Sequence, residues 1–303
     1  MKLAMVGLGR MGGNMARRLR RGEIEVVGVN RSHAVTEELA AEVGVIPARD
    51  IPEAISMLSA PRIVWLMLPS GEITEQAIQE AAAHLEAGDL LVDGGNANYR
   101  DSMRRAEWLA ERGIEFMDVG TSGGIWGLAE GYCLMAGGSE AAARLLEPVF
   151  KVLAPDIDRG WAHVGPVGAG HFTKMVHNGI EYGMMQALAE GLDLLHAKRE
   201  FDLDLAQISE LWRHGSVVRS WLLDLTADFL ARDQVLESIA PHVADSGEGR
   251  WTVLESVELG VPAPVLTLAL SMRFASQDEY GYAYRLLAMM RKGFGGHAVE
   301  TRA

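Results

Sequence analysis

The segment Gly7-Leu8-Gly9-Arg10-Met11-Gly12 constrains this chain more than any other feature. It follows the short apolar run Leu3-Ala4-Met5-Val6 and opens a helical pattern from Asn14 to Arg21. A strand that enters a glycine turn and leaves as a helix begins a βαβ unit. In that setting a GxGxxG run lets backbone N–H groups approach a pyrophosphate at a helix N-terminus. The spacing therefore predicts a dinucleotide loop made by residues 7–12 and, with it, an α/β sheet.

The first half of the chain continues in that rhythm. Glu25-Val26-Val27-Gly28-Val29, Arg62 to Leu68, Leu90-Leu91-Val92-Asp93 and Glu115-Phe116-Met117-Asp118-Val119 read as strands with helical stretches between them. Short apolar strands alternating with helices imply crossovers and a mostly parallel sheet covered on both faces. After Pro155 the pattern changes. A loop with Gly160, Gly165, Pro166, Gly168 and Gly170 leads into a long helical pattern from His171 to about Lys198, and residues 203–214, 216–239 and 251–287 keep helical spacing. The expectation is a Rossmann-type, doubly wound, mostly parallel α/β domain at residues 1–165, then an all-helical substrate-binding and oligomerisation domain at 166–303.

Composition narrows the partners. The chain carries 28 Lys and Arg against 41 Asp and Glu, a formal net charge of −13. That sign excludes broad attraction to nucleic acid or to an anionic membrane, so any phosphate must be held by a few placed cations. The single cysteine, Cys133, cannot close an intrachain disulfide; in the run Cys133-Leu134-Met135-Ala136 it reads as a buried strand residue. No signal-peptide core, no run of 18 apolar residues and no metal-ligand spacing is found, so a cytoplasmic protein without a metal is expected. Glycine is enriched, 34 of 303 residues, and it clusters at the turns singled out here.

Where NAD-binding loops usually carry an acid at the end of the second strand, this chain has Asn30-Arg31-Ser32. A carboxylate repels a 2′-phosphate, whereas this trio offers donors and a positive charge, so NADP is expected in preference to NAD. Met67, Leu68 and Pro69, where the third strand stops, complete the expected cofactor contacts together with Asn96.

The long helical pattern carries the chemistry. Lys174, His177, Asn178, Glu181 and Tyr182 fall at offsets 0, 3, 4, 7 and 8, which share one face of a helix otherwise rich in apolar residues. Such a stripe fits the wall of a cleft better than a solvated face. A lysine shielded from water can serve as a base near neutral pH, and a glutamate two turns on supplies a second proton carrier. Asp93-Gly94-Gly95-Asn96 and Thr121-Ser122-Gly123-Gly124 close two strands at the sheet edge where doubly wound folds bind ligands, the second as an anion nest.

Taken together, these segments resemble the decarboxylating 6-phosphogluconate dehydrogenases, in their short-chain form, within the β-hydroxyacid dehydrogenase superfamily. Lys174 to Gly183 (KMVHNGIEYG) and the tail Arg291-Lys292-Gly293-Phe294-Gly295-Gly296-His297 carry the resemblance most specifically. It implies oxidative decarboxylation of 6-phospho-D-gluconate to D-ribulose 5-phosphate and CO2 with reduction of NADP, a step of the pentose phosphate pathway. It implies Lys174 as the base on the C3 hydroxyl and then as the group stabilising the enolate, and Glu181 as the acid that protonates C1 of the enediol. Ser122, Gly123 and Gly124 would hold the carboxylate, and Asn96, His177 and Asn178 the hydroxyls. Tyr182, Arg273 and Arg291 would hold the phosphate, with His297 nearby. In the family's longer members that tail reaches a neighbouring subunit's site, which implies a homo-oligomer, dimer or tetramer, with Arg291 and His297 acting in trans.

Asp245 to Thr252 departs from the resemblance: Ser246 stands where longer members carry a phosphate-binding lysine, and Arg250 is the cation at hand to compensate. Two other readings fit parts of the sequence. A hydroxyisobutyrate-like, non-decarboxylating dehydrogenase would not need Glu181, Tyr182 or Arg291, and a non-catalytic NADP-binding sensor would not need both Lys174 and Glu181.

Overall fold

The computed structural model describes residues 1–300, apart from the side chain of Phe294. Its first part runs β1 (Lys2–Val6), α1 (Arg10–Arg21), β2 (Glu25–Val29), α2 (His33–Val43), β3 (Ile46–Pro47), α3 (Ile51–Ser56), β4 (Ile63–Leu66) and α4 (Glu72–Ala82). It continues β5 (Leu90–Asp93), α5 (Tyr99–Ala110), β6 (Glu115–Ser122), α6 (Gly127–Glu130), β7 (Cys133–Gly137), α7 (Glu140–Leu153) and β8 (Trp161–Gly165). Helices alone follow among the described residues: α8 (Ala169–Ala197), α9 (Leu205–Arg213), α10 (Trp221–Leu230), α11 (Glu248–Glu258), α12 (Pro264–Ser276) and α13 (Tyr282–Gly295).

The strands form one sheet in the order β3-β2-β1-β4-β5-β6-β7-β8. Every neighbouring pair is parallel except β6 with β7, where Ser122 faces Cys133 and Val119 faces Ala136. Period-two alternation sorts the strand residues into two cores, as a sheet covered on both sides requires. Leu3, Met5, Trp65 and Val92 pack with Met15, Leu146 and Phe150 on one face. Ala4, Val6, Val64 and Leu91 pack with Ile55, Ile78 and Leu109 on the other. The sheet and its helices are thus the doubly wound, mostly parallel architecture that the alternating pattern predicts, with helices after it.

Two compact units are resolved, Met1–Asn178 and a second beginning at Gly179, so the division falls inside α8. The second unit has a small core of its own, Tyr182, Ala269 and Leu270 with Val253 against it. No helix among the described residues is long and apolar enough to cross a membrane.

Three local readings are corrected. Residues 161–165 lie in the segment read as a loop, yet they form β8. This strand pairs on one side only and its middle residues are exposed, so it carries no apolar pattern to betray it. Residues 216–239 do not form one helical stretch: α10 starts at Trp221, where Ser220 Oγ accepts from Leu223 N, and ends at Leu230. Beyond it the Asp233 side chain accepts from Val235 N and Leu236 N at 2.9 and 3.1 Å, a local turn that competes with helix. Cys133 lies in a strand as expected, but it is exposed at the strand's first position.

Candidate functional site

The glycine loop is built by three different demands. Gly7 has φ +91°, and a Cβ there would overlap the Met67 carbonyl; a Cβ at Gly12 would overlap the Gly7 carbonyl. The fold itself therefore excludes side chains at both. At Gly9 a Cβ would meet no protein atom within 4 Å, so the protein leaves the space above the start of α1 open. Gly9 is also the N-cap of α1, and no side chain caps that end. An open space over uncapped helix N–H groups fits a dinucleotide pyrophosphate.

The expected cofactor residues separate by location. Leu8 is buried, and its N–H donates to Asn30 Oδ1 at 3.0 Å, so Asn30 braces the loop from β2. Arg10, Arg31, Ser32 and Pro69 are exposed, while Met11, Met67 and Leu68 are half-buried. Met67 follows β4 beside the loop, its N–H donating to the Val6 carbonyl at 2.8 Å.

At the end of β5, Asp93 is fully buried and shapes the turn that follows. Its Oδ1 accepts from Gly95 N at 3.1 Å, and its Oδ2 accepts from Arg105 Nη1 at 3.1 Å. Burial pushes the Asp93 carboxyl up to about 6, with the Arg105 guanidinium pulling the other way. Arg105 is itself buried and also donates to Glu75 Oε2 at 3.0 Å. Asn96 ends this turn, and its Oδ1 is buried without a hydrogen-bond partner. A buried amide oxygen left unpaired is costly unless a ligand supplies the donor.

β6 delivers the next group. Thr121 is buried, Ser122 half-buried, and Gly123 and Gly124 turn the chain with φ +124° and +53°, conformations that favour glycine. Across the strand pair, Cys133 lies opposite Ser122. Burial pushes the Cys133 thiol up, and the nearby Lys174 ammonium draws it down.

The start of α8 is seated on the sheet backbone. Asp118 of β6 caps it: its Oδ1 accepts from Gly168 N at 2.6 Å and its Oδ2 from His171 N at 2.7 Å. A Cβ at Gly120 would overlap Lys174 Cβ, and one at Gly170 would overlap the Asp118 carbonyl. Glycine at both positions lets helix and strand approach to backbone contact. His171 is buried with its Nδ1 2.8 Å from Ser102 Oγ, and burial lowers its basicity. Its Nε2 is buried without a hydrogen-bond partner among the described residues.

Lys174 sits one turn further on, 6% exposed. Its Nζ donates to Asn178 Oδ1 at 2.7 Å and lies 3.4 Å from His177 Nδ1, which is 3.1 Å from the same Asn178 oxygen. Sequence reasoning found this stripe and the loops at residues 93–96 and 121–124. It missed Asp118, His171, Ser102, Arg105 and Glu75, which position them. The detectable signal was an aspartate in the middle of an otherwise apolar strand, at Asp118.

In the helical unit, Glu181 is half-buried on α8, and Tyr182 is 6% exposed. The Arg273 guanidinium lies 3.5 Å from the centre of the Tyr182 ring and donates to the Ala244 carbonyl at 2.7 Å. Arg250 does not supply an uncommitted charge: it is paired with Asp245 and lies 4.7 Å from the Phe274 ring centre. Arg291 is an exposed residue of α13, and His297 follows the end of that helix.

A doubly wound sheet with an open glycine loop, a strand end that turns on two glycines and a buried lysine on a later helix defines an NAD(P)-binding oxidoreductase. Residues 2–165 match the NAD binding domain of 6-phosphogluconate dehydrogenase, and residues 170–297 match the 6-phosphogluconate dehydrogenase C-terminal domain. The protein YqeC of Bacillus subtilis is 39% identical over 302 residues, covering 100% of both chains. The NAD(+)-dependent, decarboxylating 6-phosphogluconate dehydrogenase of Haloferax volcanii is 39% identical over 303 residues, covering 100% of this chain and 99% of that one. Among solved structures, the Plasmodium falciparum 6-phosphogluconate dehydrogenase, studied with NADP+ and with 6-phosphogluconate, superposes with a TM-score of 0.84 at 28% identity. It covers 100% of this chain, which spans 66% of that longer one. The chain belongs to the 6-phosphogluconate dehydrogenase family.

Proposed function

We propose that the protein oxidises 6-phospho-D-gluconate at C3 and decarboxylates the product to D-ribulose 5-phosphate, using NADP in preference to NAD. The observation that carries the reading is the buried Lys174, held by Asn178 on a helix seated against the backbone of β6. When bound, the nicotinamide accepts a hydride from the substrate. Lys174 Nζ takes the proton of the C3 hydroxyl, with Asn178 Oδ1 fixing the direction of the amine. The β-keto acid that results loses CO2, and the ammonium of Lys174 then stabilises the enolate oxygen. Glu181, seven residues further along α8, returns a proton to C1.

Ser122 and the backbone N–H groups of Gly123 and Gly124 hold the carboxylate until it leaves. The unpaired Asn96 Oδ1 accepts a hydrogen bond from a substrate hydroxyl, and His177 and Asn178 order the neighbouring hydroxyls. Arg273 holds the phosphate, which lies beside Tyr182. Arg291 and His297 complete the site of a second subunit in a homo-oligomer. Arg31 and Ser32 read the 2′-phosphate, because Asn30 is committed to Leu8.

The test measures initial rates on 6-phosphogluconate with NADP and NAD side by side, together with CO2 release. Stoichiometric CO2 and reduced nucleotide, with NADP favoured, is the expected result. Reduced nucleotide without CO2 would return the site to a non-decarboxylating hydroxyacid dehydrogenase.

A further inference from the structure

Beside the proposed phosphate ligands lies a group that does not favour phosphate. Within the helical unit, Tyr182 OH is 3.2 Å from Ser246 Oγ, and Ser246 Oγ donates to Glu248 Oε2 at 2.5 Å. Glu248 is 8% exposed. Each hydroxyl has one proton to give, and an ionised carboxylate can only accept. Ser246 gives its proton to Glu248 and therefore receives from Tyr182. The chain runs Tyr182 to Ser246 to Glu248, and both hydroxyl protons point away from any ligand in front of Tyr182.

The cations nearby do not restore the balance. Asp245 takes the charge of Arg250 and also accepts from Gly247 N at 3.1 Å. The segment Asp245–Arg250 thus brings two carboxylates and one guanidinium to the site. Arg273 stands alongside with its face on the Tyr182 ring.

We propose that Ser246 and Glu248 are specificity-determining residues: by turning the hydroxyl chain away from the ligand, they weaken the preference for a phosphorylated sugar acid over an unphosphorylated one. The inference rests on the reading that Tyr182 and Arg273 face the phosphate. Removing the charge of Glu248, or placing a cation at the exposed Ser246, should strengthen phosphate binding.

The experiment compares the parent with Glu248→Gln and Ser246→Lys. It determines kcat and KM for 6-phosphogluconate and the inhibition constant of gluconate, all at saturating NADP. Both variants should lower KM for 6-phosphogluconate about tenfold, the equivalent of one modest charge interaction, while gluconate binding moves less than about twofold and kcat changes less than KM. Should Glu248→Gln fail to fold, Ser246→Lys decides alone, since that side chain is exposed. An unchanged or raised KM in the folded variants, or an equal gain for gluconate, overturns the inference and leaves the proposed function standing. A parent without turnover of 6-phosphogluconate overturns both.

Discussion

Lys174 Nζ donates to Asn178 Oδ1 at 2.7 Å, one helical turn apart on the same face of α8. This bond points the amine instead of leaving it to sweep through the rotamers of a long side chain. Lys174→Met should reduce decarboxylating turnover by at least about a thousandfold, in the range of general-base loss, with the melting temperature little changed. Asn178→Ala should act through kcat more than KM. Turnover of the methionine variant within tenfold of the parent would rule out Lys174 as the base.

The seat of that helix gives a second expectation. Gly120→Ala places a methyl group into Lys174 Cβ and 2.8 Å from the Gly170 carbonyl. Overpacking of this kind costs about 1–3 kcal/mol, and a displaced reacting group loses about a hundredfold in rate. Calorimetry and steady-state kinetics should show both losses together. A variant as stable and active as the parent would mean that the helix does not rest there.

Acid should expose the Glu75 network. Hydrogen bonds from Arg104 and then Arg105 hold the Glu75 carboxyl down at about 2, against the opposing effect of burial. The folded state therefore favours the carboxylate. Its contribution is present above the ordinary glutamate value of about 4.3 and is lost as pH falls from there toward about 2. Near neutrality Glu75→Gln should cost on the order of 2 kcal/mol, and the gap to the parent should narrow in melting curves as pH falls from about 4.3 toward about 2. A constant gap across that range would contradict the assignment.

Arg31 should set nucleotide choice. With Asn30 held by Leu8, Arg31→Ala removes the cation closest in sequence to the expected 2′-phosphate. Efficiency with NADP should drop about ten- to hundredfold, the value of a charge-assisted hydrogen bond, with NAD nearly unaffected. Equal losses with both nucleotides would show that Arg31 supports the loop and does not read the phosphate.

Subunit sharing can be tested by mixing. Lys174→Met and Arg291→Ala chains, each impaired alone, should recover about a quarter of parental activity after subunit exchange if Arg291 serves a neighbouring site in a twofold dimer. No recovery from a confirmed mixed oligomer would place Arg291 outside the partner's site.

The sequence made the sheet, the glycine loop, both strand-end turns and the lysine helix legible, because each is a local pattern: alternation, a glycine spacing, or a 3.6-residue stripe. What stayed hidden depends on long-range pairing. Ser102 meets His171 across 69 residues, and Asp118 meets Gly168 and His171 across 50 and 53. Nothing in a single window announces such partners. Edge strand β8 lacked alternation because it has one neighbour, and α10 stopped where Asp233 offered its own backbone a better partner than the helix. Ser246 was legible as a departure, but the carboxylate behind it was visible only once the turn at Gly247 had brought Glu248 round.

Gly120, Gly137 and Gly170 press helix against sheet with no side chains between them: a Cβ on Gly137 would stand 2.6 Å from Gly170 N and 2.7 Å from Asp118 Oδ1. Most enzymes set a reactive group through layers of side chains, each able to yield a little when a neighbour changes. Here the amine inherits its height above the sheet from peptide planes, which barely compress. Drift in the surrounding apolar residues can thus accumulate with little effect on the chemistry, while a single methyl group at any of the three glycines reaches it directly.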